Sequence, residues 1–230
     1  MPIVLEAIDR PPSQSQLVYE RLKQVLQSGG VSGGSLLSEV DLARQLGMST
    51  TPVHEAVVRL ASEGFVEALP RRGVRVVHLA LKDIVEIFEL REALEVEVVR
   101  LALMRAADQE LASLQQFLTA GQQALDRDDY PAFNVADVAL HDALAGAAGN
   151  RRLKQSINDL RVWVQRIRYA AAEQHFGPAN RPARALAEHT QLVKALKRRD
   201  SAAEGLIRKH IGSLKDEILE YMASHNIEFI

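Results

Sequence analysis

Three histidines and one aspartate occupy positions from which they could bind a common ligand. Asp137 and His141 are four residues apart, so on a helix they lie on one face. His189 and His210 stand on either side of a turn at residues 199–201, which joins two predicted helices as an antiparallel pair. At a rise of about 1.5 Å per residue, both histidines are roughly 15–16 Å from that turn and therefore level with each other. We predict that the four side chains converge inside a helical bundle.

Three imidazoles and one carboxylate are a ligand set typical of a first-row divalent transition metal. Nitrogen-rich ligation favours Zn or Ni over Mg or Ca, and Co, Mn or Fe are alternatives. A water or a small molecule would complete a five- or six-coordinate site. The alternative is a hydrogen-bonded network in the bundle core, because buried histidines also satisfy one another without a metal.

The second part of the chain must supply the helices that position these residues. Helical periods begin at Leu81, and Pro131 and the pair Gly149-Asn150 mark the start and the end of one helix. The fourth helix carries apolar residues at alternating four- and three-residue steps, which is typical of a bundle core. Six helices are predicted, at about 81–106, 108–127, 130–148, 151–174, 182–198 and 201–223.

The first part of the chain predicts a different unit, a helix-turn-helix followed by a two-stranded wing. Residues 42–46 form a short amphipathic helix that Gly47 closes, and Pro52 stands in the first turn of the next helix. A strand follows near residue 66, and the return strand covers residues 74–77. Such a unit places a helix in the major groove of double-stranded DNA. The residues assigned to DNA contact lie on the two helices and the wing tip: Arg44, Ser49, Thr50, Thr51, His54, Arg59, Arg71, Arg72 and Gly73.

The predicted fold class is therefore mostly α, in two domains. Residues 1–78 form the winged helix-turn-helix, and residues 79–230 form an antiparallel six-helix bundle for effector binding and dimerisation. The chain carries 28 Lys+Arg against 30 Asp+Glu, a formal net charge of −2, so positive charge for DNA must be local. The absence of cysteine excludes disulfides and thiolate zinc sites. Without a long apolar run or a secretory signal, no membrane segment is expected and the cytoplasm is the expected compartment.

The first domain resembles the DNA-binding domain of the GntR family of bacterial transcription factors. The family usually carries arginines on the recognition helix where this chain has Thr50 and His54, and Val40 replaces a third arginine found in some relatives. Those arginines commonly supply base and phosphate contacts, so greater dependence on the wing is one consequence. The matching residues are Leu37, Glu39, Leu42, Ala43, Leu46, Gly47, Ser49, Thr51, Pro52, Val53, Glu55, Ala56, Leu60, Gly64, Val66, Arg72 and Gly73.

The second domain resembles the FCD effector domain found in the FadR-type branch of that family. The resemblance rests on the L-R-x-x-L-E pattern at residues 90–95, on Asp137-x-x-x-His141 and on the A-G-N at residues 148–150. Glu188-His189 followed by His210 matches the closing pattern. The resemblance implies that the aspartate and the three histidines bind a metal, against which a small carboxylate effector sits.

Two further residues match family positions near the effector cavity, Arg91 and Asn150. Arg91 could pair bidentately with a carboxylate effector, or simply with Glu95 one helical turn later. The chain departs from the family pattern at Leu140, where phenylalanine is usual, and its last two histidines are one residue closer together than usual.

These patterns predict a ligand-responsive, DNA-binding transcriptional regulator rather than an enzyme. Its expected partners are a near-palindromic operator in double-stranded DNA, a second copy of the chain and a small carboxylate effector. Two alternatives stay open. One is a metal-dependent, hydrolase-like enzyme with a DNA-binding appendage, since a bound metal activates water. The other is a regulator without metal, in which the polar cluster binds the ligand directly.

Overall fold

The computed structural model describes residues 11–27, 30–69, 73–173 and 181–225. The chain divides into two compact units, with the boundary between Leu79 and Ala80. Helices dominate both units, which confirms the mostly α class. No helix within the described residues combines the length and the apolar character needed to cross a membrane.

The first unit is a winged helix-turn-helix, as predicted. Its helices are α1 (Gln14–Gln27), α2 (Glu39–Leu46) and α3 (Thr50–Ser62). Its antiparallel sheet has the order β1-β3-β2 and consists of β1 (Leu36–Leu37), β2 (Val66–Leu69) and β3 (Gly73–Val76). The two-residue strand β1 was not predicted, because so short a segment shows no alternation of apolar and polar residues.

The turn between α2 and α3 depends on Gly47. Its φ of 64° lies in the left-handed region that favours glycine, and its N–H reaches the carbonyl oxygens of Ala43 and Arg44. The helix that follows buries Val53 and Leu60, which anchor it against the rest of the unit. This packing turns the opposite face of α3 towards solvent.

The second unit is an all-helical bundle. Among the described residues it contains seven helices rather than the six predicted, because the segment 108–127 divides at Leu114. There the N–H of Phe117 bonds to the Leu114 carbonyl oxygen at 3.2 Å, a tighter turn than that of an α-helix. The helices are α4 (Leu81–Arg105), α5 (Asp108–Ser113), α6 (Gln115–Leu125), α7 (Tyr130–Ala147), α8 (Arg151–Glu173), α9 (Arg181–Lys197) and α10 (Ala202–Ser224).

Helix α4 lies at the centre of the bundle, where it packs against α7, α8, α9 and α10. Helices α9 and α10 form the predicted antiparallel hairpin around Asp200. The apolar seam of α8 is buried from Leu153 to Ile167. Polar residues on the inner faces of α4, α7, α9 and α10 are therefore enclosed together.

Candidate metal centre and DNA-facing surface

Three histidines from three helices meet in the core of the second unit. The Nε2 atom of His189 on α9 lies 3.2 Å from Nε2 of His141 on α7 and 3.1 Å from Nε2 of His210 on α10. All three side chains are buried. Within the described part of the chain, these residues form the group whose possible ligand atoms all lie within 4.8 Å of one another. Three of the four predicted metal ligands are thus brought together.

Two of these imidazoles have a carboxylate behind them. Nδ1 of His141 lies 2.5 Å from Oε2 of Glu95, and Nδ1 of His210 lies 2.7 Å from Oε2 of Glu188. An ionised carboxylate only accepts hydrogen bonds, so each Nδ1 carries the proton and donates it. In the neutral form of these imidazoles, each Nε2 then presents a lone pair to the centre of the cluster. Carboxylates commonly hold metal-binding histidines in this way.

Asp137, the fourth predicted ligand, lies behind His189. Its Oδ1 is 3.6 Å from Nδ1 of His189, while its Oδ2 accepts a hydrogen bond from Nη1 of Arg168 on α8. Its carboxylate oxygens do not join the cluster formed by the three Nε2 atoms in the described residues. In this arrangement Asp137 neutralises Arg168, while its distance to His189 is longer than a hydrogen bond.

Burial and neighbouring charges set the protonation of the cluster. Burial lowers the pKa of His189 well below its ordinary value, and the charge of His210 acts in the same direction. Burial also lowers the pKa of His210, against the opposing hydrogen bond to Glu188. For Asp137, burial favours the neutral acid, but the charge of Arg168 outweighs it and holds the pKa well below the usual range. Neutral imidazoles beside an ionised carboxylate are the forms that bind a metal.

A small pocket with a cavity volume of about 30 Å³ lies beside His141 and Asp137. Arg91 lines it and donates from Nε to Oε1 of Glu95 at 2.7 Å. Arg91 is buried, and its Nη1 has no hydrogen-bond partner among the described residues. Arg91 can therefore pair with Glu95 through Nε and still donate from Nη1 to a ligand. The remaining wall is formed by Val138, Ile157, Leu160, Arg161, Val164, Gln165 and Arg168.

Asn150 is not among the residues that line this pocket. Its Oδ1 accepts a hydrogen bond from the N–H of Leu153 at 3.1 Å, so it caps the N-terminal end of α8. Three residues of the site were missed by sequence reasoning, namely Arg168 and the two glutamates behind His141 and His210. The only local signals were the neighbouring positions of Glu188 and His189 and the i,i+4 spacing of Arg91 and Glu95.

The outward face of α3 and its N-terminus present most of the residues assigned to DNA contact. Nδ1 of His54 lies 3.0 Å from Oε2 of Glu39 on α2, which joins the two helices at this surface. Ser49 precedes α3 but makes no capping hydrogen bond through its side chain, so its hydroxyl is not committed to the helix. The exposed residues of the set on this face are Ser49, Thr50, Thr51 and His54, whereas Arg59 is exposed on the side of α3 that faces α1.

The two helical arginines of the set are already paired within the unit. Arg44 forms an ion pair with Asp41. The guanidinium carbon of Arg59 lies 3.6 Å from the ring centroid of Tyr19, and its Nε is 3.4 Å from Oε1 of Glu63. A DNA phosphate must therefore compete with a carboxylate for each of these cations.

Arg71 and Arg72 at the wing tip lie outside the described residues. Gly73, which follows them, has a φ of 90°, and a Cβ atom there would lie 2.6 Å from the carbonyl oxygen of Leu37. The glycine therefore allows β1 to approach β3 closely. The need for glycine at this position of the wing therefore has a structural explanation that does not depend on a contact with DNA.

Both units match known proteins. Residues 14–76 match the model of bacterial regulatory proteins, gntR family, and residues 86–213 match that of the FCD domain. The chain is 31% identical over 202 residues to the Nta operon transcriptional regulator of Aminobacter aminovorans, covering 81% of this chain and 86% of that protein. It is 26% identical over 205 residues to the HTH-type transcriptional repressor RspR of Escherichia coli K12, covering 89% and 88% respectively. The solved structure of E. coli McbR/YncC is similar, with a TM-score of 0.74 and 26% identity over 94% of this chain and 100% of that one.

Proposed function

The chain belongs to the GntR family of bacterial regulatory proteins and carries an FCD domain, and on this premise we propose that its helical unit binds a divalent transition metal and a small organic acid. The chain is a DNA-binding transcriptional regulator, and its relatives are regulators rather than enzymes. The hydrolase-like alternative therefore has no support from the family.

The convergence of three Nε2 atoms carries the metal proposal. With Nδ1 of His141 and of His210 donating to carboxylates, both Nε2 lone pairs point at Nε2 of His189 from 3.2 Å and 3.1 Å. A buried network without a cation leaves at least one of these lone pairs without a donor, or shares one proton among three nitrogens. A divalent ion at the centre satisfies all three. The nitrogen-rich donor set favours Zn or Ni, with Co, Mn or Fe as alternatives.

The pocket beside His141 supports the organic-acid proposal. It opens next to the histidine cluster, and its polar wall contains the cations Arg91, Arg161 and Arg168. The buried Nη1 of Arg91 lacks a hydrogen-bond partner in the described structure, and a carboxylate would satisfy it. When bound, the metal would supply a Lewis-acidic position for an oxygen of the same acid.

GntR-family regulators bind DNA operators and act as dimers. We propose that this chain forms a homodimer in the cytoplasm and binds a near-palindromic operator through α3 and the wing of each copy. Binding of the acid in the second unit would change operator affinity through linkage between the two sites.

A metal inventory on protein purified without a histidine tag tests this proposal. We expect about one transition metal per chain by mass spectrometry, retained in His225→Ala, whose histidine is exposed outside the cluster. The His141→Ala His189→Ala double variant should lose it. Thermal-shift screening of organic acids on the metal-loaded protein then identifies the effector class. Equal metal content in all three proteins would contradict the metal site, and acid binding by metal-free protein would favour the regulator without metal.

A further inference from the structure

A second pocket, the α6–α9 groove, lies on the outer side of the helical unit between those two helices. Its cavity volume of about 310 Å³ is about ten times that of the pocket beside His141, and small-molecule sites usually have about 300–1,000 Å³. Three glutamines, two threonines and two leucines line the groove, and no charged side chain of the described residues does. Helix α9 separates it from the histidine cluster, because Leu186 and Thr190 line the groove whereas His189 is buried in the core.

The lack of charge in this groove is a property of α6. The helix has no charged residue in its 11 positions, although 25% of the chain is charged. Exposed positions of a helix usually carry Lys, Arg or Glu, which are well solvated and favour the helix. Here the exposed positions along the groove carry Gln115, Thr119, Gln122 and Gln123. Such a surface matches a ligand that forms many hydrogen bonds and has no charge.

The floor of the groove is apolar. Leu118 and Leu186 line it and are only 5% and 8% exposed. Gly121 lets α6 approach α9 closely at this point, since a Cβ atom there would lie 3.3 Å from Cδ1 of Leu186. A glycine inside a helix is otherwise unfavourable, so the close approach explains its position. The two leucines offer a strip against which the C–H face of a sugar ring would pack.

The polar side chains of the groove keep hydrogen-bonding capacity for a ligand. The hydroxyls of Thr119 and Thr190 donate to carbonyl oxygens one helical turn earlier, at 3.1 Å and 2.8 Å. Their oxygens therefore remain available as acceptors. Gln122 donates from Nε2 to Oδ1 of Asp126 at 2.8 Å, which leaves its Oε1 as a further acceptor.

We propose that the α6–α9 groove is a second ligand site, which takes a neutral polyhydroxylated molecule of the size of a hexose. The side-chain amides of Gln115 and Gln123 make no hydrogen bond within the described residues, so each can donate to one ligand hydroxyl and accept from another. An acid is disfavoured, because the lining lacks a cation and the carboxylate of Asp126 lies beside Gln122. A carboxylate that loses water without gaining a counter-charge is costly to bind. The inference does not depend on a metal or on the acid proposed above.

Methyl NMR of the full chain with labelled leucines tests this site, because the signals of Leu118 and Leu186 report on the groove itself. Glucose, galactose and mannose are titrated, and each is compared with its uronate, which has the same ring and one carboxylate. We expect at least one hexose to shift both leucine signals at millimolar concentration. Its uronate should need about tenfold more, or should leave both signals unchanged.

The variants are Gln123→Ala and the matched control Gln116→Ala. Gln116 is exposed on the same helix but does not line the groove. We expect Gln123→Ala to weaken hexose binding about threefold to tenfold, the range for one lost hydrogen bond. Gln116→Ala should bind the hexose as wild type does, and circular dichroism confirms that both variants are folded.

Three outcomes would overturn the inference. In the first, none of the hexoses shifts the two leucine signals. In the second, the uronates shift them as readily as the hexoses do. In the third, Gln123→Ala binds as tightly as Gln116→Ala, so the ligand lies elsewhere. None of these measurements reads metal content, so a protein that holds a metal but fails here contradicts this inference alone.

Discussion

Glu95 on α4 accepts a hydrogen bond from Nδ1 of His141 on α7 at 2.5 Å, and its other oxygen accepts one from Nε of Arg91 at 2.7 Å. Burial alone would raise the pKa of Glu95, but the interactions with His141 and Arg91 together outweigh it and hold that pKa well below the ordinary value. The carboxylate is therefore ionised. It fixes the ring of His141 and makes its Nε2 more basic.

Replacing this glutamate should weaken metal binding without removing a ligand. In Glu95→Gln the amide oxygen can still accept from Nδ1, but the negative charge is lost and Arg91 is left unpaired. We expect metal affinity to fall about tenfold to a hundredfold, the range typical of residues that hydrogen-bond to a metal-binding histidine. Calorimetric titration with Zn²⁺ measures the change. Glu97→Gln, which alters an exposed glutamate on the same helix, should leave the affinity unchanged. Equal losses in both variants would mean that Glu95 does not support the site.

A change at Asp137 should have a larger effect if this residue becomes a metal ligand. We expect Asp137→Asn to lose more than about a hundredfold in affinity, beyond the range for a supporting residue. The visible spectrum of the Co²⁺-substituted protein should also change, because a ligand oxygen would be replaced. Asp142→Asn is the control, since Asp142 pairs with Lys154 and Arg161 outside the cluster. A tenfold loss with an unchanged Co²⁺ spectrum would instead assign Asp137 to the orientation of His189.

The convergence of the histidines can be predicted from residue spacing along the helices. The residues that hydrogen-bond to these histidines cannot, because they belong to other helices. The spacing of Asp137 and His141 fixes a helix face, and the turn around Asp200 sets the level of the two later histidines. The contact between Glu95 and His141 joins residues on α4 and α7, and no periodicity predicts which helices meet there. The contact of Arg168 to Asp137 depends on how α8 packs against α7, so the sequence around Arg168 does not predict it.

The fold shows the same division between local and tertiary causes. The helix-turn-helix follows from Gly47 and from the apolar spacing in α3, so sequence reasoning was sufficient. The break at Leu114 carries no glycine or proline. Leu114 itself is buried, as are Leu111 before it and Leu118 after it. The packing of two short helices determines this break. The sequence shows continuous helical periodicity across it and therefore predicts a single helix.

Arg199 in the turn between α9 and α10 should stabilise the second unit. Its guanidinium donates to the carbonyl oxygens of Ala102 at 3.2 Å, Leu103 at 3.0 Å and Ala106 at 2.6 Å, which lie at or just beyond the C-terminal end of α4. The Ala102 carbonyl also accepts from the N–H of Ala106 at 3.0 Å, but the last carbonyls of a helix generally lack partners within it, and a cation there interacts favourably with the helix dipole. We expect Arg199→Ala to lower the free energy of unfolding by about 1–2 kcal/mol. The loss is smaller than three charge-assisted hydrogen bonds in a buried site would give, because the side chain is partly exposed. Urea denaturation measures the loss, and the exposed neighbour variant Arg198→Ala should change it little.

Gly73 and Gly47 offer a comparison between two kinds of glycine. Both have positive φ, at 90° and 64°, so a side chain strains the backbone at either position. A Cβ atom at Gly73 would also meet the Leu37 carbonyl oxygen at 2.6 Å, whereas nothing lies within 4 Å of one at Gly47. We expect Gly47→Ala to cost about 1 kcal/mol and Gly73→Ala about 2 kcal/mol or more. Scanning calorimetry checks the order, and a larger loss in Gly47→Ala would contradict the role of the close approach.

Base recognition should depend on the uncharged residues of α3, because the face that the family usually equips with arginines carries Thr50 and His54. His54 is exposed and linked to Glu39, which holds the imidazole at the surface. With an operator selected from a random DNA library, we expect His54→Ala to weaken specific binding by about tenfold, within the range for one lost base contact. Binding to unrelated DNA and the slope of affinity against salt should remain, because no phosphate contact is removed. Arg44→Ala provides the opposite pattern, with a uniform loss across sequences and a shallower salt slope. If His54→Ala weakens binding to all sequences equally, the imidazole contacts the backbone, and the wing is left as the main source of specificity.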